Sequence, residues 1–139
     1  MSSRIEIVYG IDEIERVAEQ VRAQLKLPIC ILIGELGAGK TSLLKEILKS
    51  YEVQDEVTSP TYSIVNEYKT KAGETIYHFD LYRIKTEVEL YDLGFHEYID
   101  SKNTCFIEWP EIAVNMIPVQ HHKIHIEYVS FKKRKLSLT

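Results

Sequence analysis

The sequence predicts an α/β fold in three layers, with a mainly parallel central sheet extended by antiparallel strands. Three observations point to it. The run Ile29 to Ile33 is apolar at every position, as a parallel strand buried on both faces must be. That run passes through a glycine-rich loop, Gly34 to Gly39, directly into a segment whose apolar residues Leu43, Leu44, Ile47 and Leu48 recur at helical spacing. Runs from about Tyr62 to Tyr68 and from Thr75 to Asp80 are joined by a short connection containing Gly73, which reads as a hairpin.

Taken in order, Arg4 to Tyr9 alternates as a strand and Gly10 breaks it. Asp12 followed by Glu15 resembles a capping box, and Ile14, Val17, Ala18, Val21 and Leu25 then mark an amphipathic helix to about Lys26. Pro28 opens the central strand. Gln54 to Pro60 is polar and ends in TSPT, Thr58 to Thr61, where Pro60 disfavours helical geometry at Ser59 and so predicts an extended loop. Thr86 to Leu93 reads as a short helix closed by Gly94 at its C-terminal cap, with Phe95 to Ile99 continuing amphipathically. Thr104 to Trp109 is a further buried strand that stops at Pro110. Alternation over Ile124, Ile126 and Tyr128, and again from Arg134 to Leu138, predicts a C-terminal hairpin at the sheet edge.

At 139 residues the expectation is a single domain, residues 1–139, with one core. Hydrophobic content of 45% and charged content of 27% belong to an ordinary globular protein. A net charge of −4 argues against a chain that grips DNA or RNA phosphates as its main task. Arg4 and Glu6 interrupt any signal-like apolar run, and no stretch approaches the roughly 20 apolar residues of a membrane span. Cys30 and Cys105 each sit in an apolar strand and read as buried small hydrophobes, so the expected compartment is the cytosol.

The loop has the spacing G-x-x-x-x-G-K-T, from Gly34 to Thr41. Glycines let successive backbone N–H groups turn inward toward a phosphate chain, and the following helix adds its unpaired N–H groups and positive dipole end. Lys40 is positioned to reach β- and γ-phosphates and the Thr41 hydroxyl to ligate Mg²⁺. Such a site also needs an acid at a neighbouring strand end. Asp80 and Glu108 both qualify, on the same rim as the loop because ligands bind beyond the carboxyl ends of strands in open α/β sheets. Residue types do not decide which of them serves Mg²⁺.

Other constellations are weaker. Thr58, Ser59 and Thr61 are either a switch-like segment sensing the γ-phosphate or an ordinary hydroxyl-rich turn. Arg83 is a possible charge neutraliser, though a surface ion pair explains it as well. His121, His122 and His125 lack a carboxylate or Cys to complete a metal set, and a solvated edge strand is the favoured reading. Lys132 to Lys135 fits an edge strand that blocks unwanted pairing. Trp109 is either a partner contact or a packing residue.

GELGAGKTS from Gly34, TSPTYSIVNEY from Thr58, YHFDLYR from Tyr77, LGFHEY from Leu93 and FIEWPE from Phe106 occur in this order. Together they resemble the TsaE family, formerly YjeE, of bacterial ATPases, across nearly the whole chain. The resemblance implies a phosphate-loop fold with added antiparallel strands. It also implies a part in threonylcarbamoylation of the adenosine beside the anticodon, in tRNAs that read codons starting with A. In that system the TsaB–TsaD heterodimer transfers the group to tRNA, TsaE binds the heterodimer, and ATP hydrolysis resets it. The resemblance implies ATP or ADP and Mg²⁺ as ligands, and contact with tRNA only through the complex. By motif, Leu36, Gly37, Ala38, Gly39, Lys40, Thr41 and Ser42 hold phosphates, with Thr61 in the switch-like loop. Lys40, Asp80 and Glu108 form the catalytic set, Thr41, Glu108 and Asp80 the metal set. Trp109 matches a family tryptophan linked to function, and the adenine side falls near Gly10 to Asp12.

The leading expectation is thus a weak ATPase stimulated by partner proteins, since charge-stabilising groups at phosphate loops are often supplied in trans. A small-molecule or nucleoside kinase needs an acceptor pocket and a lid, for which 139 residues leave little. A GTPase switch lacks its N-K-x-D segment here. A non-hydrolysing, nucleotide-dependent scaffold is the remaining alternative.

Overall fold

In the computed structural model, which describes residues 4–35, 37–54 and 64–139, the described residues form seven strands and four α-helices. They are β1 (Ile5–Gly10), α1 (Ile14–Gln24), β2 (Ile29–Ile33), α2 (Lys40–Ser50), β3 (Val65–Lys69), β4 (Thr75–Asp80), α3 (Glu87–Leu93), α4 (Phe95–Asp100), β5 (Thr104–Glu108), β6 (His122–Ser130) and β7 (Lys133–Leu138). The strands make one sheet in the order β1-β7-β6-β2-β5-β4-β3. Its centre is parallel: Ile31 of β2 faces Ile107 of β5 on one side and Lys123 of β6 on the other. The outer pairings β3–β4, β6–β7 and β7–β1 are antiparallel, so the predicted mixed sheet is what forms.

Alternation along β2 divides the core in two. Cys30 and Leu32 pack with Leu43, Leu44 and Phe106 on the face covered by α1 and α2, while Ile29 and Ile31 pack with Phe79, Phe95 and Ile107 beneath α3 and α4. A strand apolar at each position is needed because both faces are covered. The cysteines lie in different halves of this core, both free and buried. Burial pushes both thiols up, that of Cys105 to about 12. Gly94, with φ of 78°, separates α3 from α4 in the left-handed conformation a C-cap requires. Among the described residues no helix is long and apolar enough to cross a membrane.

Four local expectations are corrected. The Asp12–Glu15 capping box does not form; Glu13 Oε1 instead accepts from the Gly10 N–H at 2.9 Å, at a short 3-10 turn over Ile11–Glu13. Trp109 leaves β5 with φ of 54°, and Pro110 starts a 3-10 segment to Met116 that periodicity had not signalled. The C-terminal hairpin is not at the edge, because β6 pairs with β2 and β7 with β1, leaving β1 and β3 outermost. Its alternation reflects an open face, with His125 and Glu127 exposed opposite buried Ile124 and Ile126, rather than an open edge. The lysine run therefore does not guard an edge: Lys133 and Lys135 are paired on both sides.

The histidines follow from the same correction. His122 Nε2 accepts from the N–H groups of Lys26 and Leu27 at 2.9 and 3.1 Å, which leaves the ring proton on Nδ1 to donate to the Thr139 carbonyl at 2.9 Å. One side chain thus ties the α1–β2 connection to Thr139, just beyond β7. Replacing His122 by Ala is expected to cost about 1–2 kcal/mol in urea unfolding, because the N–H groups of Lys26 and Leu27 lose their partner and Thr139 loses one of its two donors. His125→Ala, at an exposed position, is expected to stay within about 0.5 kcal/mol. Among the described residues no group of three or more His, Cys, Asp or Glu is arranged to hold a metal.

Candidate functional site

The phosphate loop leaves the carboxyl end of β2 and enters α2 at Lys40, with the Ala38 N–H donating to the Glu35 carbonyl at 3.0 Å on the way. Gly34 is required by close approach: a Cβ there would lie 2.8 Å from the Ile126 carbonyl. Gly39 caps α2 with φ of 103°, a conformation that L side chains rarely adopt. The Ala38 carbonyl is pinned outward by Arg134 Nε at 2.9 Å, and the guanidinium also lies 4.7 Å from the Tyr128 ring centre. Arg134 was read from sequence only as part of a strand, since nothing local reveals a contact 96 residues away.

Lys40 is 6% exposed. Its ammonium donates to the Gly34 carbonyl and sits 3.5 Å from the centre of the Trp109 ring. Burial holds its pKa below the ordinary lysine value, while the charges of Glu108, Glu111 and Asp80 pull it back up. Trp109 takes a left-handed backbone conformation with its indole over Lys40, and Tyr82 lies beside it at 4.9 Å between ring centres. This cation–π contact means that Trp109 packs on the loop's own lysine.

The strand-end acids meet this loop. Asp80 and Glu108 are paired in register at the ends of β4 and β5. Glu108 is 2% exposed; Oε1 accepts the Thr41 hydroxyl at 3.1 Å and Oε2 is 2.7 Å from His78 Nε2. Asp80 is half-buried and accepts the Tyr82 N–H at 3.1 Å. Gly37, Gly39, Lys40, Thr41 and Ser42 join Asp80 and Glu108 around one cavity of about 320 Å³, with Tyr82 and Trp109 on its far wall. A second cavity of about 410 Å³ lies on the other flank of the α2 N-terminus, lined by Tyr9, Ile11 and Arg134, and shares Gly37, Gly39 and Ser42 with the first. Ala38 is buried behind the loop, and Arg83 is exposed outside the first cavity. Leu36, Thr58, Ser59 and Thr61 lie outside the described residues.

This arrangement has relatives. The family model described as "Threonylcarbamoyl adenosine biosynthesis protein TsaE" matches residues 9–136. The chain belongs to the TsaE family. It is 36% identical over 129 residues to the tRNA threonylcarbamoyladenosine biosynthesis protein TsaE of Rickettsia felis, covering 91% of this chain and 74% of that protein. The Haemophilus influenzae TsaE is 42% identical over 97 residues, 70% of this chain and 61% of its own length. The Bacillus subtilis TsaE is 32% identical over 111 residues, 80% of this chain and 68% of that one. The crystal structure of Bacillus subtilis YdiB shares the fold, with a TM-score of 0.75 at 24% identity, over 99% of this chain and 86% of that one.

Within this TsaE-family chain the donor set suits a magnesium nucleotide. Thr41 donates a hydrogen bond from its hydroxyl to Glu108, which leaves the hydroxyl lone pairs for a hard cation, and Asp80 adds a carboxylate in the same cavity. His78 is the residue sequence reasoning missed. A histidine between Tyr77 and Phe79 in a buried strand, on the same face as Asp80, needs a polar partner, and that was the available signal.

Proposed function

We propose that this TsaE-family chain, one domain over residues 1–139, binds and hydrolyses ATP with Mg²⁺ in tRNA threonylcarbamoyladenosine biosynthesis. It works in the cytoplasm as an accessory subunit of the TsaB–TsaD heterodimer, with tRNA reached through that complex. The observation that carries this reading is the bond from the phosphate-loop hydroxyl of Thr41 to buried Glu108, inside a cavity walled by Lys40 and Asp80. Backbone N–H groups of the loop and the Lys40 ammonium bind and orient the phosphate chain. Thr41, Asp80 and Glu108 hold Mg²⁺ and its water shell, which when bound neutralises charge on the phosphate oxygens. Leu36 and Thr61 complete the nucleotide contacts that the family motif implies. The second cavity, beside Ile11, takes the adenine side.

Asp80, the more open acid, orients the attacking water. The described residues lining the first cavity contribute Lys40 as their cation, so a partner-supplied positive group is expected to speed hydrolysis. The experiment is ATP turnover by the chain alone and with TsaB–TsaD. Slow hydrolysis alone and stimulation of about 10-fold or more by the heterodimer is the expected result. Equal turnover in both conditions, with complex formation intact, would contradict it, as would phosphoryl transfer to an acceptor other than water.

A further inference from the structure

We infer that His78 is a positioning residue that holds the Glu108 carboxylate turned toward Thr41. The inference rests on the ATPase reading above. His78 and Glu108 are each 2% exposed and 2.7 Å apart, so neither reaches water in place of the other. The ring lines none of the cavities described at the loop, and any effect it has on phosphate chemistry passes through Glu108.

The geometry gives a reason for the pairing. His78 and Asp80 lie on one face of β4, opposite Phe106 and Glu108 of β5, and the ring leans along the sheet to reach the acid. A glutamate side chain has three rotatable bonds, and one hydrogen bond to Thr41 leaves its carboxylate free to twist. A second bond from the opposite side fixes both oxygens, so the Thr41 hydroxyl keeps donating to Oε1 and its lone pairs stay turned toward the cavity. An ionised carboxylate has no proton to give, so the ring donates through Nε2–H. Nδ1 is buried without a partner among the described residues, consistent with a bare lone pair there. A ring present only to fill space would not need its nitrogen aimed at the acid.

Four full-length variants test this with TsaB–TsaD present: His78→Leu, His78→Gln, Glu108→Ala, and His78→Leu combined with Glu108→Ala. His78→Leu is expected to lower kcat about 10- to 100-fold while KM for ATP changes less than about threefold. His78→Gln places an amide N–H near the Nε2 position and is expected to recover turnover to within about fivefold of wild type. The double variant is expected to be no slower than Glu108→Ala alone, because both changes act on one carboxylate. Ring NMR of nucleotide-free protein adds a readout independent of activity. The Nε2–H tautomer is expected, with its proton signal shifted by Glu108→Ala.

Wild-type kcat in His78→Leu, a Gln variant as slow as the Leu variant, or an Nδ1–H tautomer would each overturn the inference. If His78→Leu does not fold, the Gln variant and the ring spectrum decide it. Wild-type turnover in Glu108→Ala would overturn the part given to Glu108 and with it the reason for positioning the acid, whereas absence of ATP turnover by the wild type with TsaB–TsaD would overturn the ATPase reading itself, and the spectrum would still report whether the ring holds the acid.

Discussion

Lys40→Ala is expected to reduce ATP turnover in the presence of TsaB–TsaD on the order of 10²- to 10³-fold, and to weaken ATP binding as well. The ammonium is held ready by the Gly34 carbonyl and the Trp109 face. Both are neutral partners, and neither competes with a polyanion for a cation. Phosphate oxygens therefore draw Lys40 out of a partly desolvated position, where its charge is costly, into one where it is paired. Removing it strips the loop of its charged donor in the ground state and in the transition state. Kinetics with a rise in KM and a fall in kcat together would show both losses. A variant that keeps full turnover would mean that phosphate is held elsewhere.

Glu108→Ala is expected to separate these two effects. Turnover should fall on the order of 10²- to 10³-fold, while ADP affinity without metal changes less than about threefold. The acid is buried behind Thr41, and its described hydrogen bonds go to Thr41 and His78; backbone N–H groups and Lys40 still grip the phosphates. Equilibrium dialysis with ADP and a phosphate-release assay on the same protein check both halves. The same variant decides between hydrolysis and a scaffold that needs binding alone. A protein that binds ATP but no longer supports tRNA modification requires the hydrolytic step, whereas retained modification favours the scaffold.

Much of this was legible in sequence because it is local. The strand, loop and helix from Ile29 to Ser50 are contiguous, and their spacing carries their chemistry. Asp80 and Glu108 were legible because each ends an apolar run, and strand ends of a parallel sheet share one rim. The exposed face of β6 was read as an edge because alternation reports one uncovered face and says nothing of backbone pairing. His78 and Arg134 were not found because their partners are 30 and 96 residues away. Trp109 could be placed at the end of a strand. Its position over Lys40 depends on a left-handed φ of 54°, a conformation uncommon outside glycine that residue type does not announce.

The most direct measurement is a crystal structure with Mg²⁺ and a hydrolysis-resistant ATP analogue. Lys40 Nζ is expected to have left the Gly34 carbonyl for β- and γ-phosphate oxygens, with the Thr41 hydroxyl on the metal and Glu108 still bonded behind it. A phosphate chain bound away from the loop, with Lys40 still on Gly34 and under Trp109, would contradict the proposed site.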